Sequence, residues 1–179
     1  MRFTETGLSG AYVLDIERRE DSRGFFGRSF CVNELTAHGL NPKVVQTNVG
    51  FSRAKGTLRG MHLQIAPHEE AKLVRCTMGS VYDVIVDLRP GSPTHRKWFG
   101  LELSAANRKA LYVPEGFAHG YQTLEDDSEI TYQTSEFYAP GSARGVRYND
   151  AAFGIVWPLA VTSISDADAA WQDYAGRLE

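Results

Sequence analysis

The sequence predicts an all-β sandwich or barrel formed by one domain. Three observations favour this class: many short runs of β-branched and aromatic residues, turn-forming residues between them at regular intervals, and only one or two brief helical segments. A chain of 179 residues is long enough for one domain with a substantial core and short for two. No repeat, low-complexity segment or linker divides it, so we predict a single domain over residues 1–179.

The composition is that of an ordinary globular protein. The hydrophobic fraction is 42%, the charged fraction is 23% and the net charge is −3, which gives no electrostatic footprint for nucleic acid or an anionic membrane. The two cysteines, Cys31 and Cys76, do not suggest a disulfide framework, and the first residues lack the apolar core of a signal peptide. We therefore expect a cytoplasmic protein with neither a nucleic-acid nor a membrane partner.

The first half of the chain contains five predicted strands. They cover Tyr12–Ile16, Phe25–Phe30, Val44–Val49, Leu58–Leu63 and Leu73–Cys76. A charged segment, ERREDSRG, is predicted to form the turn between the first two. Asn33 is predicted to cap a helix over Glu34–His38, and Gly39 to end it.

The second half contains the clearest strand, Val81–Leu88, because its residues alternate strictly. One face carries Tyr82, Val84, Val86 and Leu88, and the other carries Val81, Asp83, Ile85 and Asp87. Turn-forming residues separate further predicted strands over Trp98–Leu103, Leu111–Val113, His119–Leu124 and Glu129–Ser135. From Trp157 onward the alternation is lost, and SDADAAWQDYAG predicts a short helical tail capped by Ser165.

The stretch KGTLRGMHLQIAPHEEAKLVR places a histidine inside an apolar strand. Side chains two apart share a face of a strand, so His62 and Gln64 are predicted to point the same way. Strict alternation places Arg59 on the opposite face, whereas a bulge at Gly60 would turn it toward His62. An isolated histidine in a strand is more often a buried structural residue than a catalytic base, so other residues must decide.

Four polar or titratable side chains are predicted to point into the barrel: His62, Lys72, His119 and Tyr132. Asp83 is a fifth candidate, and it would meet Lys72 across a hairpin at Met78–Ser80 in one strand register but not in the next. The interior of a small barrel is normally aliphatic, and burying several ionisable groups without use is costly. The pattern therefore predicts a binding cavity.

A metal-binding barrel would be expected to carry a His-x-His pair. Here the pair is His62 and Gln64, followed by His68, Glu69 and Glu70, and an amide oxygen is a poor ligand for the softer transition metals. We predict no metal and no other cofactor. A metal-dependent oxygenase built on such a barrel is the alternative from another functional class.

The motifs taken together resemble those of one family. They are DSRGFF, QTN, GTLRGMHLQ, KLVRC, VYDVIVDLRPGSPT, LSAANR, LYVPEGFAHGYQTL and GIVWP. In this order, from about Asp15 to Asp168, they resemble the dTDP-4-dehydrorhamnose 3,5-epimerase family. The resemblance implies a cupin-type jelly roll, a homodimer whose contact includes the N-terminal strands within residues 1–50, and epimerisation at C3 and C5 of a nucleotide-linked 4-keto-6-deoxyhexose without a metal.

The resemblance also implies roles for individual residues. His62 would be the general base, oriented by Asp168, while Tyr132 would be the general acid on the opposite face of the sugar and Lys72 would lie near the C4 carbonyl oxygen. The residues implied for the diphosphate and the sugar are Arg23, Gln46, Asn48, Arg59 and His119. Tyr138 would stack on the nucleotide base.

Three positions depart from the family pattern at its nucleotide end. Arg28 stands where members specific for dTDP usually carry a glutamate, Ala143 replaces another acidic contact, and Ala167 replaces a lysine. Exchanging an acceptor for a fork of donors favours a different base edge, so the nucleotide is predicted to differ from dTDP if residue 28 faces it. The alternative function is a single-site C3- or C5-epimerase acting on a CDP- or GDP-linked 4-ketosugar.

Overall fold

Two antiparallel sheets form the body of the molecule in the computed structural model, which describes residues 1–178. The six-stranded sheet has the spatial order β1 (Arg2–Glu5), β2 (Tyr12–Asp15), β10 (Ala110–Val113), β7 (Lys72–Met78), β12 (Ser128–Thr134) and β5 (Gln46–Ser52). The five-stranded sheet has the order β13 (Ala143–Gly145), β6 (Leu58–Gln64), β11 (Phe117–Thr123), β8 (Ser80–Asp87) and β9 (Trp98–Ser104). A separate hairpin pairs β3 (Arg19–Asp21) with β4 (Gly24–Phe26). The helices are α1 (Val32–Ala37) and α2 (Asp166–Ala169), so the predicted all-β class is confirmed.

The main core lies between the two sheets, and β8 shows why. Val81 and Ile85 point inward and pack with residues such as Leu111 and Ile130 of the facing sheet. Val84 belongs to the opposite face, where a second cluster covers the outside of the sheet. Its members include Met61, Val86, Val146, Phe153 and Tyr174. The predicted alternation of β8 is therefore correct, and both of its faces are buried.

The connection from β7 to β8 corrects the predicted hairpin at Met78–Ser80. These strands do not pair, because β7 belongs to the six-stranded sheet and β8 to the five-stranded sheet. The chain crosses between the sheets at Gly79, whose φ is +68°. Lys72 and Asp83 therefore lie on different walls.

The helix near the N-terminus begins two residues earlier than predicted, at Val32 instead of Glu34. Cys31 occupies the N-cap position without a side-chain cap hydrogen bond, and Asn33 lies inside the helix, so the predicted Asn33 cap is wrong. The earlier start lets Leu35 pack with Leu14 and Tyr112 on the outside of the six-stranded sheet. The predicted end is correct, since Gly39 follows the helix with φ +71°.

Several strand boundaries differ from the prediction. The predicted strand Phe25–Phe30 is only Gly24–Phe26, and it pairs with a strand inside the segment predicted as a turn. β1 and β13 were not predicted, and β5 begins at Gln46 rather than Val44. Backbone pairing decides these limits, and polar residues such as Gln46 join a ladder as readily as apolar ones do.

The predicted helical tail is a single turn. Ser165 is its cap, since its Oγ accepts the Asp168 backbone N–H at 3.1 Å, as predicted. The chain then leaves helical geometry to pack against the five-stranded sheet, where Arg147 Nε donates to the Trp171 carbonyl at 3.1 Å. The end of the predicted domain 1–179, Glu179, lies outside the described residues.

Two further expectations concern the chain as a whole. Cys31 and Cys76 are both free thiols. Within residues 1–178, none of the helices has the length and apolar character needed to cross a bilayer.

Candidate active site

A cavity of about 660 Å³ opens between the sheets, within the usual size range of small-molecule sites. Its lining includes all four side chains predicted to point inward: His62, Lys72, His119 and Tyr132. A second depression, of about 450 Å³, lies on the surface beside Asp15 and Lys109, whose charges are already paired at 2.9 Å. The first cavity is the candidate site.

The first wall of the cavity holds a histidine–carboxylate pair. His62 Nε2 lies 2.5 Å from Asp168 Oδ1, and the second carboxylate oxygen accepts the Gly60 N–H at 3.2 Å. Burial works to raise the pKa of the Asp168 carboxyl, but the hydrogen bond and the charge of His62 outweigh it and hold that pKa below its usual value. A charged Asp168 keeps the proton on Nε2, so Nδ1 is left as the proton acceptor. The His62 side chain is 48% exposed, which makes it accessible to a ligand.

Arg59 reaches the same cavity because of a bulge. Along β6 and β11, His62 pairs with His119 and Arg59 with Tyr121, so β6 has one residue more than its partner between these pairs. Gly60 has φ +114°, and a Cβ there would lie 2.6 Å from the Gly120 Cα, so only glycine fits. The predicted bulge is confirmed. Arg59 is then anchored to the facing sheet through hydrogen bonds to β5.

A second histidine–carboxylate pair lies beside the first. His119 stands opposite His62 on the neighbouring strand, and its Nε2 lies 3.0 Å from both oxygens of the fully buried Asp83. Asp83 thus serves His119 and not Lys72. Among residues 1–178, no group of three or more His, Cys, Asp or Glu side chains is arranged to hold a metal. That part of the chain therefore offers no ligand set for a metal-dependent oxygenase.

The second wall, formed by the six-stranded sheet, carries Tyr132 and Lys72. In the β12–β7 ladder Tyr132 pairs with Val74 and Thr134 with Lys72, which puts Tyr132 and Lys72 diagonally on one face. Burial raises the pKa of Tyr132, the negative charge of Glu70 raises it further, and Arg59 opposes both. Tyr132 therefore holds its proton at neutral pH and is able to donate it.

The remaining predicted residues of the cavity belong to its rim. Gln46 and Asn48 lie two apart on β5 and line the cavity together. Gln46 Oε1 accepts the Tyr138 backbone N–H at 2.6 Å, which fixes the loop that follows β12. The Tyr138 ring is 66% exposed and offers a free face for stacking.

The chain is similar to known proteins over nearly its whole length. Residues 5–175 match the protein family described as dTDP-4-dehydrorhamnose 3,5-epimerase. This chain belongs to that family. The 3,5-epimerase of Shigella flexneri is 40% identical over 97% of this chain and 96% of its own length. The crystal structure of the Bacillus anthracis 3,5-epimerase, with TDP and PPi bound, superposes with a TM-score of 0.92 at 39% identity, covering 97% of this chain and 99% of that one. A dTDP-4-dehydrorhamnose 3-epimerase of Streptomyces niveus is 36% identical over 94% of this chain and 81% of its own length.

Membership of the epimerase family confirms the predicted cupin-type jelly roll. Two residues that were predicted to bind the substrate do not reach the cavity in this structure. Arg23 lies at the tip of the β3–β4 hairpin, where its side chain is 88% exposed and bonds Asp21 at 2.6 Å. Arg28 is paired with Glu34 at 2.7 Å. Their substrate-binding roles remain predictions.

Glu70 and Trp171 are among the cavity residues that the sequence analysis did not assign to the site. Glu70 lies beside Lys72, and the only sequence signal for it is its spacing two residues before that lysine. Trp171 lies edge-to-face with His62, with ring centroids 6.5 Å apart, and it covers Gly145 so closely that a Cβ there would lie 2.3 Å from the indole. The helical prediction for the tail gave no indication that Trp171 would reach the cavity.

Proposed function

We propose that this chain is an isomerase that inverts C3 and C5 of dTDP-4-dehydro-6-deoxy-D-glucose. The observation that supports it most is the placement of a proton acceptor and a proton donor on facing walls of one cavity: His62 with Asp168 on one side and Tyr132 on the other. The substrate follows from the family and from relatives that carry this activity in their names.

The first half of the reaction is removal of a proton from a carbon next to the C4 ketone. Nδ1 of His62 takes this proton, and the charged Asp168 stabilises the imidazolium that results. The electrons move onto the C4 oxygen, where the Lys72 ammonium stabilises the enolate. A positioned acid or base of this kind contributes about 10²–10⁴-fold to the rate.

The second half is return of a proton to the opposite face of the same carbon. Tyr132 lies on the facing sheet and stays protonated because its pKa is raised, so protonation from its side inverts the centre. C3 and C5 both flank C4, and a single acid–base pair therefore serves both carbons in turn. The reaction needs no cofactor.

Binding of the nucleotide diphosphate uses the cationic and polar rim. Arg59 supplies a guanidinium already oriented by hydrogen bonds to β5, and this geometry suits a diphosphate. His119, Gln46 and Asn48 add polar groups around the sugar and the diphosphate. The exposed ring of Tyr138 stacks on the nucleotide base.

The working form is a homodimer in which a second copy brings Arg23 and Arg28 to this cavity. The β3–β4 hairpin supports this assembly, because it forms a separate two-stranded sheet and leaves Phe26 74% exposed. An exposed aromatic beside unsatisfied strand edges favours a protein contact.

The experiment that tests the function is turnover of dTDP-4-dehydro-6-deoxy-D-glucose, with the product identified by NMR. Formation of the product inverted at C3 and C5 is expected. If folded protein leaves the substrate unchanged, the proposal fails.

A second candidate is a single-site epimerase, or one that prefers another nucleotide. The name of the Streptomyces niveus relative supports the first form, and Arg28 with the cavity-lining Ala143 and Ala167 supports the second. The position of deuterium after turnover in deuterated water tests the first form, and binding of dTDP, CDP and GDP, measured side by side by calorimetry, tests the second. A clear preference for dTDP removes the second.

A further inference from the structure

A carboxylate lies inside a cavity proposed to bind a dianionic substrate. Glu70 lines the cavity, its side chain is only 12% exposed, and Oε1 lies 3.1 Å from the Lys72 ammonium. Negative charge here opposes binding of a diphosphate, so the carboxylate needs a function that compensates for this cost.

The hydrogen bonds of Lys72 suggest that function. An ammonium has three donors. One faces Glu70, and a second is donated to the His62 backbone carbonyl at 3.3 Å, across the gap between the two sheets. Because two N–H groups of the Lys72 ammonium are held by fixed partners, the direction of the third is fixed as well. Without these partners the flexible lysine side chain would turn its ammonium toward solvent.

We propose that Glu70 is a positioning residue of the epimerase site. Its carboxylate holds the Lys72 ammonium so that the remaining N–H meets the C4 oxygen. This inference rests on the proposed function and assigns a role to a residue outside the expected catalytic set.

The charge of Glu70 also affects the pKa of Tyr132, together with the other groups that face this phenol. Glu70, from the segment before β7, raises the pKa of Tyr132, and Arg59 on β6 lowers it. Lys72 on β7 stands diagonally beside it, and Tyr121 on β11 is a neutral phenol. Removing the charge of Glu70 therefore lowers the pKa of Tyr132 and moves the alkaline limit of activity to lower pH.

Two variants separate geometry from charge. Glu70→Gln keeps an oxygen that accepts from Lys72 but removes the charge, and Glu70→Ala removes both. We expect Glu70→Ala to lower kcat about 10-fold with little change in KM, as for loss of one hydrogen bond to a charged group. We expect Glu70→Gln to recover most of kcat, and both variants to shift the alkaline limb of the kcat profile to lower pH.

The matched control is Glu69→Gln. Glu69 is exposed, lies one residue away and changes the net charge equally, so its kcat and its pH profile should equal those of the wild type. Thermal unfolding of each variant checks that the protein is folded, and the isosteric Gln variant keeps the test valid if the Ala variant is unstable.

Three results would overturn the inference: wild-type kcat in Glu70→Ala, an alkaline limb that does not move in either Glu70 variant, or a Gln variant as impaired as the Ala variant. A purely structural ion pair would change the unfolding temperature and leave the pH profile in place. If the wild-type enzyme itself shows no turnover, the proposed function has failed, and the role of Glu70 fails with it.

Discussion

At the residue scale, the two walls of the cavity carry different ionisable groups. His62, Lys72, His119 and Tyr132 all line the cavity, as expected from side chains that alternate along strands. Alternation does not say what each side chain bonds. Lys72 pairs with Glu70, two residues before it in the chain, and Asp83 pairs with His119 on the neighbouring strand β11.

The proposed roles of His62 as base and Tyr132 as acid are tested by removing only the phenolic hydroxyl of Tyr132. We expect Tyr132→Phe to lower net inversion by about 100-fold, within the range for loss of a positioned acid. His62 still removes and returns the proton on its own face, so exchange with solvent at one carbon should continue. NMR in deuterated buffer measures both processes at once.

Inversion at the wild-type rate in the Phe variant would place the general acid elsewhere. Loss of exchange together with inversion would show that Tyr132 is needed for binding or for proton removal.

At the element scale, the β6 bulge and the C-terminal segment position the base. The bulge was predictable from Gly60, since glycine tolerates the backbone conformation that a bulge needs. The path of the C-terminal segment was not predictable, because its residues favour a helix and the observed turn ends at Ala169. Tertiary contacts to Arg147 and Gly145 outweigh that local preference.

Trp171 provides a test of this positioning. The indole packs against His62 and follows Asp168 by three residues on the same segment, so its loss should loosen both members of the pair. We expect Trp171→Ala to lower kcat about 10-fold, because small displacements of a catalytic group are costly.

Trp157→Ala is the control for loss of a partly buried indole. Trp157 donates to the Tyr148 carbonyl and packs on Tyr82, away from the cavity lining, so kcat should stay at the wild-type value while stability falls. Equal kcat in the two variants, each shown to be folded, would contradict a positioning role for Trp171.

At the scale of the whole molecule, the sequence predicted a β-rich barrel but not the order of its strands. The faces of β8 follow from its alternation, whereas its pairing with β11 does not, because two other strands lie between them in the chain. The partner of Arg23 was not predictable either. Its motif implied a substrate contact, but in the single chain its side chain points into solvent.

The proposed shared active site, which would give Arg23 its role, can be tested with two variants. In a homodimer whose sites combine His62 of one chain with Arg23 of the other, co-expression of His62→Ala with Arg23→Ala creates one intact site in each mixed dimer. We expect each variant alone to be nearly inactive. The co-expressed pair should show about a quarter of wild-type activity, since random pairing gives mixed dimers half of the time.

No recovery in the co-expressed pair, with mixed dimers demonstrated by two affinity tags, would contradict the shared site. Full activity of Arg23→Ala alone would contradict it as well.

The most direct test of the central claim is the position of solvent deuterium in the product. Wild-type protein is incubated with dTDP-4-dehydro-6-deoxy-D-glucose in deuterated water and followed by NMR. Proton removal by His62 and return by Tyr132 on both sides of the C4 ketone predicts deuterium at C3 and at C5, each with inverted configuration. Folded protein that incorporates deuterium at neither carbon would contradict the claim.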